Sequence, residues 1–133
     1  MKFFPELLNL PNHKRILVVD DCPVLSHAYA SALHAWGYKV DTAADGLAGL
    51  ACLRSGRYHL VITDYEMPRC NGIEFLTKAR LEIDTNALPP FILITGTPLE
   101  DLHGYLDGFV ATFAKPIGIQ MLRHELTLHI SNS

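Results

Sequence analysis

The sequence has few residues of the kinds that build disulfide or zinc scaffolds. It contains three cysteines, an odd number, and no two of them form a C-x-x-C pair. The seven histidines are dispersed, with no H-x-x-x-H spacing that would place two of them on one helix face. These absences argue against a disulfide-stabilised secreted domain and a helix-borne zinc site, and they predict a reducing, cytoplasmic location.

An excess of positive charge and long apolar runs are also absent. The 11 basic and 14 acidic residues leave a net charge of −3, which does not suit binding to nucleic acid by phosphate neutralisation. No apolar run approaches the roughly 18 residues that a membrane span needs. Pro5, Glu6 and Asn9 interrupt the apolar N-terminal stretch, so it does not resemble a signal peptide. The sequence therefore predicts neither a nucleic-acid nor a membrane partner.

Apolar periodicity is the main structural signal in the 133 residues. The predicted strands cover residues 15–20, 38–43, 59–64, 90–95 and 109–115, and the predicted helices cover residues 23–36, 46–53, 72–83, 99–106 and 117–130. Apolar strands that alternate with helices predict one doubly wound α/β domain, with a five-stranded parallel sheet between helices on both faces. We expect this domain to span residues 14–130, after a short N-terminal extension (residues 1–13) and before a tail (residues 131–133).

Polar residues gather where the predicted strands end. Asp20 and Asp21 follow the first strand, Asp64 ends the third, Thr95 the fourth and Lys115 the fifth. The carboxyl ends of parallel strands lie along one rim of the sheet, where such folds bind ligands. Three carboxylates gathered there repel one another unless a cation compensates them, and a hard ion such as Mg²⁺ prefers oxygen ligands.

Such a site is suited to phosphoryl transfer. A divalent ion, the Lys115 ammonium and the Thr95 hydroxyl could together neutralise and position phosphoryl oxygens. A carboxylate can itself act as the nucleophile and form an aspartyl phosphate. Asp64 is the best candidate, because its strand is expected at the centre of the sheet.

Each acidic position also has a purely structural interpretation. Asp20 and Asp21 would suit the N-cap of the helix that follows them, and Asp64 alone would suit a turn. The combination of these acids with Thr95 and Lys115 at matching strand ends favours a functional site.

Five motifs give the chain a resemblance to the receiver domains of bacterial two-component response regulators, of the chemotaxis-regulator type. They read, in order, I-L-V-V-D-D, G-Y-K-V-D-T-A-A-D-G, V-I-T-D-Y-E-M-P-R-C-N-G-I-E-F-L, I-L-I-T-G and F-A-K-P-I. The resemblance covers residues 15 to about 130 and implies a flavodoxin-like sheet with strand order 2-1-3-4-5.

The same resemblance implies roles for individual residues. Asp64 would accept a phosphoryl group from a phosphohistidine on a sensor histidine kinase or a histidine phosphotransfer protein. Asp21 and Asp64 would bind Mg²⁺ directly, Asp20 through water, and Glu66 through its backbone carbonyl. Thr95 and Lys115 would hold the phosphoryl oxygens.

Two features depart from the family pattern. Thr112 lies three residues before Lys115, where receiver domains usually carry the tyrosine or phenylalanine that reports phosphorylation to the output face. The interval from Thr95 to Lys115 is about two residues shorter than in the chemotaxis regulator, which predicts a short fourth helix.

We therefore expect a stand-alone receiver that acts through protein–protein contacts, as a phosphorylation-controlled switch or a phosphorelay intermediate. Its only expected enzymatic activities are self-phosphorylation and autodephosphorylation. Alternatives are a phosphate-independent adaptor on the same fold, a small aspartyl-phosphate phosphatase similar to haloacid dehalogenases, and a flavodoxin-like flavin binder.

Overall fold

The computed structural model describes residues 14–102 and 106–130. Its centre is one sheet of five parallel strands in the order β2-β1-β3-β4-β5. The strands are β1 (Arg15–Val19), β2 (Lys39–Ala43), β3 (Leu60–Thr63), β4 (Phe91–Thr95) and β5 (Phe109–Ala114). The predicted strand order is confirmed, and each strand boundary lies within one residue of its prediction.

Helices cover both faces of this sheet. They are α1 (Pro23–Ala35), α2 (Gly46–Ser55), α3 (Gly72–Glu82) and α4 (Ile119–His129). One apolar cluster joins α1 and α4 to the sheet through side chains such as Leu33 and Leu122. A second cluster joins α2 and α3 to the opposite face through Leu50 and Phe75. The doubly wound architecture is therefore confirmed.

The three central strands are rich in apolar residues because both of their faces are buried. Every residue of β3 and β4 is buried, and so is every residue of β1 after Arg15. The edge strands β2 and β5 are mostly half-buried or exposed. Continuous apolar runs are what a doubly covered parallel strand requires, and they place β1, β3 and β4 in the interior.

The fourth connection differs from the prediction. In the part that the structure describes, a 3-10 turn (Leu99–Leu102) replaces the α-helix predicted over residues 99–106. Gly104 weakens any helix there, since glycine costs a helix about 1 kcal/mol relative to alanine. Residues 103–105, the N-terminal extension (1–13) and the tail (131–133) lie outside the described residues. None of the described helices is long and apolar enough to cross a membrane.

Asp45 ties α2 to the loop that follows β3. Its Oδ1 accepts a hydrogen bond of 2.9 Å from the Ala48 backbone N–H, which caps α2. Its Oδ2 pairs with the guanidinium of Arg69, a residue in the left-handed backbone region with φ of 68°. The ion pair with Asp45 thus helps to hold Arg69 in a backbone conformation that costs an L-residue about 1–2 kcal/mol.

Asp45→Ala is expected to lower the free energy of unfolding by about 1–2 kcal/mol, because the variant loses the helix cap. Asp45→Asn should lose less at neutral pH, since asparagine is also a good N-cap. The Ala48 N–H and the Arg69 guanidinium hold the pKa of Asp45 below its ordinary 3.8. The stability due to its charge is therefore complete above about pH 4–5 and is lost as the pH falls through the lowered pKa. Urea unfolding of the wild type and Asp45→Asn should converge at low pH, and a constant difference would contradict this.

Candidate functional site

The sheet itself aligns the predicted site residues on one rim. The ladder of backbone hydrogen bonds continues past the strand ends, from Asp20 N to Ala43 O (3.1 Å) and from Asp64 N to Val19 O (2.9 Å). Lys115 N likewise donates to Thr95 O at 2.9 Å. These three bonds extend the ladder at the ends of β1, β3 and β5, so that the side chains of Asp20, Asp64 and Lys115 emerge at the same edge of the sheet.

Lys115 bridges two of the carboxylates. Its Nζ lies 3.0 Å from Asp20 Oδ2 and 3.2 Å from Asp64 Oδ2. Burial lowers the pKa of Lys115, but the hydrogen bond with Asp20 and the charge of Asp64 outweigh it, so the pKa is raised overall. The ammonium therefore stays charged at neutral pH. A cis peptide bond joins it to Pro116.

Asp64 is a buried carboxylate whose negative charge is only partly offset by its neighbours. It is 7% exposed, and its Oδ1 accepts a hydrogen bond of 2.7 Å from the Tyr65 backbone N–H. Burial raises the pKa of Asp64; Lys115 opposes this increase and Asp20 adds to it. The net increase shows that one lysine does not fully offset the desolvation of Asp64 and the nearby negative charge.

The acids are close enough to share a metal ion. Asp20, Asp21 and Asp64 each offer a carboxylate oxygen, and these three oxygens lie within 4.8 Å of one another. Asp20 is 5% exposed, while Asp21 is open to solvent. An all-oxygen donor set with one exposed side fits Mg²⁺, which keeps several of its waters.

A cavity of about 580 Å³ opens over this cluster. Its lining includes Asp21, Asp64, Glu66, Thr95 and Lys115. Four of the five strand-end residues selected from the sequence thus line one cavity. The fifth, Asp20, accepts a hydrogen bond from Lys115, which is part of the lining. The role of the Glu66 backbone carbonyl as a ligand stays a prediction.

Thr95 is held by a chain of hydrogen bonds across the mouth of the cavity. Its Oγ1 accepts a bond of 3.1 Å from the Thr97 backbone N–H. The Thr97 hydroxyl donates to Glu66 Oε1 at 2.9 Å. Because Thr95 Oγ1 acts as an acceptor in this chain, its own proton is available to a ligand in the cavity.

Gly72 and Arg69 shape the loop after Asp64. The role of Gly72 could be predicted from the sequence, whereas that of Arg69 could not. Gly72 allows close approach, since a Cβ there would overlap the backbone oxygen of Asp64. Gly72 is the glycine of the third motif quoted in the sequence analysis, eight residues after Asp64. The Arg69–Asp45 pair that anchors the same loop was missed, because no local pattern links residues 24 positions apart.

Thr112 occupies the position of β5 at which the resemblance noted from the sequence implies an aromatic ring. It is half-buried and paired with Leu93 of β4. The neighbouring Phe113 packs with the α1 and α4 cluster on the opposite face, as strand alternation predicts. Neither position 112 nor position 113 therefore places an aromatic ring on the α3 side of β5.

Comparisons with known proteins identify the family. The family model described as "Response regulator receiver domain" matches residues 16–127. The probable transcriptional regulatory protein TcrX of Mycobacterium tuberculosis is 34% identical over 106 residues, which cover 79% of this chain and 44% of TcrX. The aerobic respiration control sensor protein ArcB of Escherichia coli is 29% identical over 108 residues, 80% of this chain and 14% of ArcB. The chain thus spans less than half the length of either relative.

Solved structures agree with the family match. The response regulator TrrA of Thermotoga maritima, in complex with Mg²⁺-BeF, has a TM-score of 0.78 at 30% identity, over 88% of this chain and 99% of TrrA. The chemotaxis response regulator CheY4 of Vibrio cholerae has a TM-score of 0.79 at 27% identity, over 90% of this chain and all of CheY4. The matched family model and the shared fold together show that this chain belongs to the response regulator receiver domains of two-component systems.

Proposed function

We propose that the chain is a phosphoacceptor whose Asp64 receives a phosphoryl group from a phosphohistidine. The observation that supports this most is the position of Asp64. Its buried carboxylate faces the cavity, lies 3.2 Å from the Lys115 ammonium and shares a cluster with Asp20 and Asp21. In the reaction, an Asp64 carboxylate oxygen forms a bond to phosphorus as the phosphorus–nitrogen bond of the donor breaks. The donor imidazole keeps the electron pair of that bond and takes up a proton, and Asp64 becomes an acyl phosphate.

The surrounding residues would stabilise the transferred group. Asp20, Asp21, Asp64 and the Glu66 backbone carbonyl would hold Mg²⁺, which would neutralise charge on the phosphoryl oxygens. Lys115 would supply a fixed positive charge next to Asp64. The Thr95 hydroxyl, already an acceptor from the Thr97 N–H, would donate its proton to a phosphoryl oxygen.

The relatives suggest which donors to test. ArcB and EvgS of Escherichia coli are sensor proteins, and RcsC is a sensor histidine kinase. We propose that a sensor histidine kinase or a histidine phosphotransfer protein phosphorylates this chain in the cytoplasm. The chain would then work as a switch or phosphorelay intermediate through protein contacts. The family match favours this function over the phosphatase and the flavin-binding alternatives.

Intact-mass spectrometry of the full chain with acetyl phosphate tests the proposed chemistry. We expect one phosphoryl adduct with Mg²⁺ and none when EDTA removes the ion. Absence of an adduct with both acetyl phosphate and phosphoramidate would refute the phosphoacceptor function.

A second candidate function is a phosphate-independent adaptor, and Thr112 is the observation that favours it. Without an aromatic ring at this position, phosphorylation could leave the output face unchanged. Two-dimensional NMR with Mg²⁺ and beryllofluoride distinguishes the two functions. Chemical-shift changes that extend along β5 support a switch, whereas changes confined to the cavity lining support an adaptor.

Glu66→Gln is expected to speed phosphorylation by acetyl phosphate roughly threefold, because the variant removes a negative charge from the mouth of the cavity that an anionic donor must enter. The amide oxygen can still accept the Thr97 hydroxyl bond, so the loop should keep its conformation. The rate is read from adduct formation over time at low salt. Glu82→Gln, at the far end of α3, is the control for net charge, and an equal increase in that variant would contradict a local effect.

A further inference from the structure

We propose that the cleft between the start of α3 and the 3-10 turn binds a basic segment of a partner protein, anchored by one arginine side chain. The cleft has a volume of about 210 Å³. Among the described residues, its lining is Tyr65, Asn71, Ile73, Glu74, Asp101 and Leu102. This binding surface is additional to the phosphoacceptor site and does not depend on it.

The 3-10 turn of the fourth connection contributes two residues to the lining of this cleft, Asp101 and Leu102. Within the described residues, one turn of 3-10 helix (Leu99–Leu102) stands where a short α-helix was predicted over residues 99–106. Leu102 is 4% exposed, so the turn is fixed against the domain. The first turn of α3 is equally well fixed by its capping box, in which Asn71 and Glu74 exchange hydrogen bonds of 3.1 and 2.8 Å. Both walls of the cleft are therefore held in place before any ligand binds.

The charge of the cleft selects a cation. Glu74 lies on one wall and Asp101 on the other, and both are exposed. Among the residues that the structure describes, neither carboxylate has a basic partner within 4.0 Å. The described lining also contains no lysine or arginine. A positive side chain that enters here meets two carboxylates that form no ion pair with the described basic residues.

The apolar part of the lining favours arginine. The half-buried side chain of Ile73 gives the methylene stem of a long side chain an apolar surface to cover. The guanidinium has five donors in a planar fork that suits two carboxylates, whereas the ammonium of lysine is a compact point charge. Arginine is also enriched among the residues that dominate binding at protein interfaces.

The cleft and the phosphoacceptor cavity share two lining residues. Tyr65 and Asn71 line both spaces. The Tyr65 backbone N–H donates to Asp64 Oδ1 at 2.7 Å, so one wall of the cleft is bonded directly to the proposed phosphoacceptor. A partner segment bound in the cleft would lie next to Asp64. An output partner at this position would be close enough to contact a phosphoryl group on Asp64.

An NMR titration of the full ¹⁵N-labelled chain, without phosphodonor, tests the proposal. The probe is the blocked peptide acetyl-Leu-Arg-Leu-Lys-amide, and the matched control peptide carries neutral citrulline in place of arginine. We expect saturable chemical-shift changes at the amides of Tyr65, Ile73 and Leu102, with the citrulline peptide binding at least about tenfold more weakly. Equal binding of the two peptides, or changes spread over all acidic surfaces, would overturn the proposal.

Variants of the two acids locate the site. Glu74→Gln and Asp101→Asn are each expected to weaken binding of the arginine peptide by about fivefold or more, since each removes one charge-assisted contact. Glutamine at position 74 preserves the capping box, so the fold should be retained. Glu100→Gln removes a charge from the same turn but outside the described lining, and it should change binding by less than about twofold. An effect of Glu100→Gln as large as that of Asp101→Asn would show attraction by net charge alone and would overturn the cleft. Because no phosphoryl group is involved, this test is independent of the mass-spectrometric one.

Discussion

Asp64→Asn is expected to abolish the phosphoryl adduct that the wild-type chain forms with acetyl phosphate and Mg²⁺. The amide nitrogen and oxygen of asparagine are poor nucleophiles, and no other described carboxylate combines burial, contact with Lys115 and a place at the centre of the sheet. Asp20 is the nearest alternative, but Asp64 lines the cavity over the cluster and Asp20 is not part of its described lining. Intact mass measures the result. Asp107→Asn, an exposed position, is the control and should be phosphorylated as the wild type is.

The same variant is expected to be more stable than the wild type. Burial raises the pKa of Asp64 above its ordinary 3.8, so the folded protein disfavours the ionised form that prevails at neutral pH. Asparagine has no charge to desolvate, and Asp64→Asn should therefore melt at a higher temperature in EDTA at pH 7. The gain should shrink as the pH falls through the raised pKa, because the wild-type carboxyl then becomes neutral as well. An adduct on Asp64→Asn, or a lower melting temperature, would contradict the assignment of Asp64 as a strained functional acid.

The parts of the molecule that could be predicted are those that local sequence determines. Burial on both faces makes β1, β3 and β4 continuously apolar, and this pattern alone indicates a parallel sheet. In such a sheet all carboxyl ends share one rim, so the positions of Asp64 and Thr95 follow from the strand ends. Site and fold are predictable together here, because the site is a consequence of topology.

The features that were missed depend on contacts between distant residues or on marginal local energies. The length of the fourth connection could be counted, but the balance between an α-helix and a single 3-10 turn depends on about 1 kcal/mol per residue. The Arg69–Asp45 pair joins two loops that are distant in sequence and are brought together by the packing of α2 against α3 and by the bond from Gly46 N to Cys70 O. The sequence indicated that Lys115 belongs to the site, but its contact with both Asp20 and Asp64 is visible only in the structure.

Lys115→Met is expected to lower the free energy of unfolding by about 3 kcal/mol in EDTA at pH 7, the low end of the cost of leaving buried charges unpaired. The reason is that Asp20 and Asp64, which are 5% and 7% exposed, would face each other without a cation. Methionine keeps most of the volume and the apolar stem, so the loss reports the ammonium rather than a cavity. Urea unfolding followed by circular dichroism measures it. Lys39→Met, at an exposed position of β2, is the matched control and should change stability by less than about 0.5 kcal/mol.

Two changes are expected to restore stability to Lys115→Met, and they test whether uncompensated carboxylates cause its loss. Adding Asp64→Asn to Lys115→Met should recover much of the loss, because one of the two uncompensated charges is removed and the effects of contacting residues are not additive. Saturating Mg²⁺ should stabilise Lys115→Met more than it stabilises the wild type, since an ion that binds only the folded state adds stability and the variant lacks the competing ammonium.

Phosphorylation by acetyl phosphate should nevertheless remain severely impaired in Mg²⁺, because Lys115 is proposed to hold the phosphoryl group as well as to balance the acids. If Lys115→Met is as stable as the wild type in EDTA, the lysine does not offset the buried carboxylates. If its stability falls but its phosphorylation does not, Lys115 is a structural counter-ion and takes no part in the transfer.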